Sequence, residues 1–151
     1  MKIKPVIFGA IALCYGVTLN GTAIARQLDQ YEQQVENQLE LVIKTARTEG
    51  YQLSLPRNVG KLTRRTEAFK TVLLYPNREY NFVAVCDQNC SEVNLIVKDT
   101  NGKKITFDST NGAVALVDFK PPSEDRYQIT VRMEKCSTQY CNYGLGIFAK
   151  R

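Results

Sequence analysis

Two closely spaced cysteine pairs constrain the fold of this chain more than any other feature. Cys86 and Cys90 flank a short turn between two strand-like runs, and Cys136 and Cys141 flank another turn near the end of the sequence. In an oxidising compartment, an even set of cysteines at such spacings forms disulfides. Because each pair brackets a tight turn, we predict the local bonds, Cys86 with Cys90 and Cys136 with Cys141.

Crossed disulfides stay open as an alternative. The chain-entropy model gives roughly 4 kcal/mol for a bond that spans about fifty residues and roughly 2 kcal/mol for a local bond. Crossed bonds therefore stabilise more, but they need the two turns to lie side by side. A zinc site built from the same cysteines is a further alternative, which the short spacings and the export of the chain disfavour.

The runs on either side of the first pair alternate as β-strands do. Between residues 80 and 86 both faces are apolar, which predicts a strand covered on both sides. In the second run Val93, Leu95 and Val97 alternate with residues 94, 96 and 98, which form a more solvent-exposed face. This pattern predicts a strand with one buried face. Further strand-like runs are separated by turn signals at Pro76-Asn77, Asn101-Gly102 and Asn111-Gly112. We therefore predict a mainly β fold, an antiparallel β-sandwich of about seven strands preceded by one amphipathic α-helix.

Residues 1–25 have the organisation of a secretory signal peptide. Lys2 and Lys4 precede an apolar run, and Ala23 and Ala25 stand at the spacing that a signal peptidase recognises. An uncleaved membrane anchor is the alternative, but the 15 apolar residues from 5 to 19 fall short of the roughly 20 that span a bilayer. Cleavage of 25 residues from 151 leaves 126, enough for one exported domain, periplasmic or extracellular.

Residues 26–50 have the spacing of an amphipathic helix. Asp29 and Glu32 can form a capping box at its start, and Gly50 is suited to end it. We predict that the helix packs on the sheet, because helices of this length usually need tertiary contacts. A helix that binds a partner is the alternative. The apolar residues recur at steps of three and four: Leu28, Tyr31, Val35, Leu39, Val42 and Ala46.

Residues 51–67 have the composition of a connector, since they contain Pro56 and Gly60. A charge run in such a segment is usually a solvated loop. The alternative is a patch that binds a phosphorylated lipid head group or an acidic polysaccharide. The mature chain has 18 Lys and Arg against 15 Asp and Glu, and no aromatic residue separates the basic ones, so we predict no nucleic-acid partner. The basic residues of the run are Arg57, Lys61, Arg64 and Arg65.

The order of strands, turns and cysteines resembles the bacterial pre-peptidase C-terminal domain, above all the cysteine-containing variants in small exported proteins. The likeness covers about residues 66–151 and sets the β domain at 68–151. It implies a jelly-roll-like sandwich without catalytic activity; such modules often accompany secreted peptidases, and some relatives bind polysaccharide or protein fibres or carry calcium. Where relatives often place acidic residues after the second cysteine, this chain has 91–95, SEVNL. The matching positions are Tyr80, Phe82, Cys86, Asp87, Cys90, Leu95 to Asp99, Asn101, Gly102, Pro121, Tyr127 to Val131, and Cys136 to Gly144.

The chain contains no histidine. This absence removes Ser-His-Asp and Cys-His nucleophilic sites, histidine zinc sites and the commonest general base. Asp87, Asp99, Asp108 and Asp118 could form a glycosidase pair, but Asp at a strand end usually forms a turn. The first three of these residues could also gather around calcium, which is the one cofactor that we keep as an alternative. We predict that the protein is not an enzyme.

Of the tyrosines at positions 75, 80, 127, 140 and 143, Tyr140 is the one that we expect to be exposed, because it lies in the turn between two cysteines. The weak candidates for ligand contacts are Tyr140, Arg57, Lys61, Arg64 and Arg65. The sequence predicts an exported, non-catalytic β-sandwich module that binds a protein or polysaccharide of the bacterial envelope. The alternative is a structural or assembly subunit of an envelope or lumenal complex, docked through its N-terminal helix. Membrane contact is expected only through an uncleaved signal peptide.

Overall fold

The computed structural model describes residues 27–151, so the predicted signal peptide at 1–25 lies outside the described residues. Within this part of the chain, one helix precedes nine strands. No helix in this range is both long and apolar enough to cross a membrane. The elements are α1 (Gln30–Thr48), β1 (Tyr51–Leu53), β2 (Asn58–Leu62), β3 (Glu67–Leu74), β4 (Tyr80–Cys86), β5 (Cys90–Asp99), β6 (Lys104–Asp108), β7 (Val114–Phe119), β8 (Asp125–Cys136) and β9 (Cys141–Lys150).

The strands form two antiparallel sheets. Sheet A has the order β1-β9-β4-β7, with β2 also paired to β9, and sheet B has the order β3-β8-β5-β6. Alternate residues of the long strands enter a shared core, because side chains alternate between the two faces of a strand. This arrangement confirms the predicted mainly β sandwich with one helix in front. The fully buried side chains of the core include Phe82, Leu95, Ile129, Val131 and Met133.

Two of the nine strands, β1 and β2, lie inside residues 51–67, whose composition predicts a connector. This prediction is wrong, because the segment forms part of sheet A. β1 pairs Tyr51 with Lys150, and β2 pairs Leu62 with Cys141, so both strands lie along β9. Strands of three and five residues are too short to show a clear alternation, and their pairing partner is far away in sequence.

The start of α1 follows the predicted capping box. The Asp29 Oδ1 accepts hydrogen bonds from the backbone N–H groups of Tyr31 (2.9 Å) and Glu32 (2.8 Å). In return the Glu32 Oε2 accepts the backbone N–H of Asp29 at 3.3 Å. These bonds satisfy amide groups that have no partner within the helix. After Glu49 caps the helix, Gly50 turns the chain with φ of 85°, a conformation that favours glycine.

The apolar face of α1 packs on the outer face of sheet A. Val35 and Leu39 are fully buried against β4 and β9, where they meet a second apolar cluster. Gly144 makes this close approach possible, since a Cβ at that position would lie 2.7 Å from the Leu39 Cδ1 and 2.7 Å from the Val35 Cγ1. The predicted packing of the helix therefore matches the structure, and its apolar face is not free to dock on a partner. The cluster consists of Val35, Leu39, Ile43, Ala46, Val83, Val85 and Phe148.

An ion-pair network lies across the outer face of sheet B and joins three of its strands. The Glu67 carboxylate on β3 contacts the Lys98 Nζ of β5 at 3.0 Å and the Arg132 Nη1 of β8 at 3.3 Å. The Arg132 Nε also contacts the Glu134 carboxylate at 2.7 Å. The hydrogen bond from Lys98, together with Arg132, holds the pKa of Glu67 below its ordinary value of 4.5 in spite of partial burial.

We expect this network to give a small pH-dependent contribution to stability. Because folding lowers the pKa of Glu67, its contribution is present above the ordinary pKa of 4.5 and is lost as the pH falls through the lower, folded value. E67Q should therefore destabilise the protein at neutral pH by well under about 1 kcal/mol, since the Glu67 side chain is 33% exposed and water screens its ion pairs. Urea unfolding at several pH values should show the difference from wild type disappearing in acid. E124Q is the control, because Glu124 is exposed and has no ion pair with a described residue, so the variant should stay within about 0.5 kcal/mol of wild type.

Candidate functional site

Both disulfides lie at one end of the sandwich, which we call the disulfide end: the turn 87–89, the turn 137–140 and the first turn of α1. Cys86 is bonded to Cys90 and Cys136 to Cys141, each with a Cα–Cα distance of 5.9 Å. These are the local bonds that the spacing favours. Each bond therefore closes one turn, and the four cysteines fix the ends of β4, β5, β8 and β9.

The two turns lie side by side, which is the arrangement that crossed disulfides would need. Cys90 and Cys136 are opposite one another in the pairing of β5 with β8. The Asn89 carbonyl accepts hydrogen bonds from the backbone N–H of Ser137 at 2.9 Å and from its Oγ at 3.0 Å. The distance between the turns therefore does not decide between local and crossed disulfides. The local bonds form although the two turns are in contact.

Asp87 joins the first turn to β9 through a buried carboxylate. Its Oδ2 accepts hydrogen bonds from the Asn142 backbone N–H (2.7 Å) and from the Asn142 Nδ2 (2.9 Å). Its Oδ1 accepts the backbone N–H of Asn89 at 3.0 Å. The residue is only 1% exposed and forms no ion pair with a described residue. Three N–H groups therefore satisfy a carboxylate that no described cation neutralises.

Asn142 has an unused hydrogen-bond acceptor. A carboxylate only accepts hydrogen bonds, so the amide nitrogen of Asn142 must face Asp87, which fixes the orientation of the side chain. The Asn142 Oδ1 then has no hydrogen-bond partner among the described residues, although Asn142 is only 2% exposed. Buried polar atoms are nearly always paired, and where no protein group reaches such an atom a buried water molecule is its usual partner.

A surface cavity of about 510 Å³ opens at the disulfide end, and Asn142 forms part of its wall. Tyr140, which is 45% exposed, lines the cavity from the second turn. Asp87 and Asn89 line it from the first turn, and the start of α1 contributes Asp29. The cavity therefore brings together two disulfide-bonded turns and the helix N-terminus.

Lys61 on β2 connects the helix N-terminus to the Tyr140 ring. Its Nζ lies 3.1 Å from the Asp29 Oδ2 and 4.9 Å from the centroid of the Tyr140 ring. Hydrogen bonds from the Glu32 backbone and from Lys61 lower the pKa of Asp29, and the hydrogen bond to Asp29 raises the pKa of Lys61. Both groups stay charged at neutral pH, so Tyr140 stands beside an exposed ion pair.

The structure separates the predicted basic set. Lys61 is near Tyr140, whereas Arg57 pairs with α1, at 2.9 Å from Glu36 and 3.0 Å from Glu40. Arg64 and Arg65 lie in the turn between β2 and β3. The acidic side of the helix therefore takes up Arg57, and a ligand contact by any of the four residues stays a prediction.

The calcium candidates are also apart. Asp99 accepts the backbone N–H groups of Asn101 at 2.9 Å and Lys103 at 2.8 Å, and Asp108 accepts those of Thr110 and Leu116 at 2.8 Å. Each carboxylate thus caps its own turn, as Asp87 does. Residues 27–151 contain no group of three or more His, Cys, Asp or Glu side chains placed to hold a metal ion.

Sequence reasoning named Asp87 and Tyr140 but missed Asn142, and it did not predict the contact between Asp87 and Asn142. The two residues are 55 positions apart, so no local pattern links them. One signal was present in the sequence: Asp87 directly follows Cys86, and Asn142 directly follows Cys141. A polar residue next to each disulfide is placed at the same end of the sandwich once the strands pair.

The fold and the site define a disulfide-bonded antiparallel β-sandwich with one helix packed on sheet A. No family model matches the chain, and no curated protein matches its sequence. Among solved structures, the chain is similar to the crystal structure of Aeromonas hydrophila PliG, a periplasmic lysozyme inhibitor of g-type lysozyme. The two are 12% identical with a TM-score of 0.47, over 62% of this chain and 84% of that chain. At that score the likeness carries no argument about function.

Proposed function

We propose that this protein is an exported, non-catalytic binding module whose disulfide end binds a protein partner in the periplasm or outside the cell. The observation that carries the proposal is the cavity of about 510 Å³ beside the exposed Tyr140 ring, between two disulfide-bonded turns.

The disulfide bonds keep both turns of the disulfide end ordered, which suits protein recognition. The Tyr140 turn is held by the bond between Cys136 and Cys141, and the adjacent turn by the bond between Cys86 and Cys90. A turn that is already ordered loses little conformational entropy when it binds. Tyrosine offers a large apolar ring and a hydroxyl group, and it is enriched among residues that dominate binding energy at interfaces. The charged pair of Lys61 and Asp29 would form the polar rim.

Export is supported by the disulfides and by the signal-like residues 1–25. The non-catalytic part of the proposal rests on the absence of histidine from the sequence and on the use of the candidate carboxylates as turn caps. The resemblance to pre-peptidase C-terminal domains remains a proposal of its own, and it would agree with a non-catalytic module.

Two alternatives have less support. Docking through the helix would need the apolar face of α1, and Val35, Leu39 and Ile43 are already buried on sheet A. A polysaccharide partner would use stacking on exposed rings, and of the two rings that line the cavity Tyr140 is exposed whereas Tyr31 is only partly exposed. A protein partner makes use of both the Tyr140 ring and the ion pair of Lys61 with Asp29.

The test compares Y140A with Y75A. Tyr140 and Tyr75 are almost equally exposed, at 45% and 41%, but Tyr75 follows β3 at the opposite end of the sandwich. Wild-type protein would be used to capture partners from envelope extract, and each captured protein would be purified and titrated against the three forms. Loss of a central aromatic side chain commonly costs about 2 kcal/mol or more, so Y140A should weaken binding about thirtyfold and Y75A should leave it unchanged.

The same three forms applied to a glycan array separate the two partner classes. Tyr140-dependent binding to a purified protein, with no glycan signal, is the expected result. A glycan that binds wild type and Y75A but not Y140A would show that the site binds a polysaccharide and not a protein. Partners that bind all three forms equally would show that the disulfide end is not the binding surface.

A further inference from the structure

A second cavity, of about 580 Å³, lies at the end of the sandwich opposite the disulfide end. It is built from the turn between β3 and β4, the chain after β7, the end of β9 and the segment around β1. Its wall carries four cationic side chains and one acidic side chain, Glu79. The cations are Arg78, Lys120, Lys150 and Arg151.

Most of this positive charge is not neutralised within the fold. The Lys150 Nζ pairs with the Glu79 Oε2 at 3.1 Å, and this hydrogen bond raises the pKa of Lys150. Arg78, Lys120 and Arg151 form no ion pair with a described residue. By contrast, Arg57 and Lys61 of the predicted basic set are each paired with acidic groups. The opposite end is therefore where uncompensated cations surround a cavity.

A smaller cavity of about 240 Å³ adjoins this one and shares Gln52 and Arg151 with it. It adds Arg47, which also has no ion pair with a described residue. Neutral hydrogen-bonding side chains, Ser54 and Asn77, complete the wall of the larger cavity beside the cations. Guanidinium, ammonium, amide and hydroxyl groups together can bind the several oxygens of one oxyanion.

We propose that this cavity, which we call the cationic cavity, binds a phosphate-bearing ligand. Four cationic side chains against one acidic side chain leave an excess of three positive side-chain charges in its wall. A single carboxylate would compensate only one of them, whereas a phosphate group carries about 1.5 to 2 negative charges at neutral pH. A diphosphate or a cluster of lipid phosphates would balance the cavity. The proposal does not depend on the function of the disulfide end.

The ligand could be a soluble phosphate compound or the head group of an anionic lipid, and the two share the same chemistry. The probes are inorganic pyrophosphate in solution, vesicles of phosphatidylcholine, and vesicles of phosphatidylcholine with phosphatidylglycerol. Pyrophosphate binding would be measured by calorimetry and vesicle binding by co-sedimentation, both on the mature protein.

The decisive variant is R78Q/K120Q, which removes two unpaired cations from the cationic cavity. The matched control is R64Q/R65Q, which removes the same charge from the turn between β2 and β3, outside the cationic cavity. Because R78Q/K120Q removes two charged hydrogen-bond donors from the cavity wall, it should weaken binding of the phosphate probe by at least about tenfold. The control should stay within about twofold of wild type, and thermal unfolding would show that both variants are folded.

Saturable pyrophosphate binding that R78Q/K120Q weakens, and the control does not, would assign the cavity to a soluble phosphate ligand. Binding only to the vesicles with phosphatidylglycerol, with the same dependence on the variants, would assign it to a lipid head group. The proposal is overturned if neither probe binds saturably. Equal weakening by both double variants also overturns it, since this would reflect net charge alone.

Discussion

Replacing Gly144 with valine should lower the free energy of unfolding by about 3 kcal/mol, because α1 then cannot lie against sheet A. A Cβ at this position would stand 2.7 Å from the Leu39 Cδ1 and 2.7 Å from the Val35 Cγ1. Both side chains are fully buried, and Val35 is β-branched, so neither can move away without opening the cluster under the helix. Urea unfolding, followed by circular dichroism, measures the loss.

G112V is the matched control, since Gly112 lies in the turn before β7, where the nearest heavy atom to an added Cβ is 3.8 Å away. It should change the unfolding free energy by less than about 0.5 kcal/mol. Hydrogen exchange gives a second readout, because G144V should expose the amides of α1 more than those of β5 and β8. If both variants were equally stable, the helix would not depend on the close approach at Gly144.

The helix and most strands could be predicted because their signals are local. Asp29 and Glu32 are three residues apart, and the structure forms the capping box that their spacing predicts. The turn at Asn101-Gly102 separates β5 from β6, and Gly102 has the positive φ of 81° that such turns favour. Patterns of this kind act within a few residues, so the sequence alone displays them.

Strands β1 and β2 could not be predicted, because their partner is distant. Tyr51 lies opposite Lys150 at the other end of the described chain, and the three residues of β1 are too few to show alternation. From the sequence, Gly60 in β2 is typical of a turn. In the structure it lies opposite Tyr143, whose ring occupies the space that a Cβ at position 60 would need. Long-range pairing, and not local propensity, determines these strands.

The difference between local signals and long-range contacts also explains why one candidate site could be predicted from the sequence and the other could not. The cysteine pairs and the exposure of Tyr140 follow from short spacings, and the structure shows both. The cationic cavity takes Arg78, Lys120 and Lys150 from three separate turns and strand ends, so no run of basic residues marks it. Conversely, Arg57 belongs to a run of basic residues that is evident in the sequence, but in the structure it pairs with the acidic side chains of α1.

The second large effect is expected at Asp87. D87A removes the acceptor for three N–H groups: the backbone N–H of Asn89, and the backbone N–H and Nδ2 of Asn142. Each buried donor without a partner costs about 1 to 3 kcal/mol, although water that enters the space of the lost carboxylate would satisfy part of them. We therefore expect a loss of about 4 kcal/mol in the free energy of unfolding, measured by urea denaturation with the disulfides intact.

D118A is the control for this experiment, because the Asp118 carboxylate is exposed and accepts one side-chain hydrogen bond, from the Asn81 Nδ2 at 2.7 Å. Its loss should cost about 0.5 kcal/mol. The location of the damage distinguishes D87A from G144V. Since Asp87 holds the first turn to β9, D87A should release the amides of residues 87–89 and 137–142 to hydrogen exchange while those of α1 near its C-terminus stay protected. Protection of both turns at the wild-type level in D87A would mean that the disulfides alone hold the disulfide end in place.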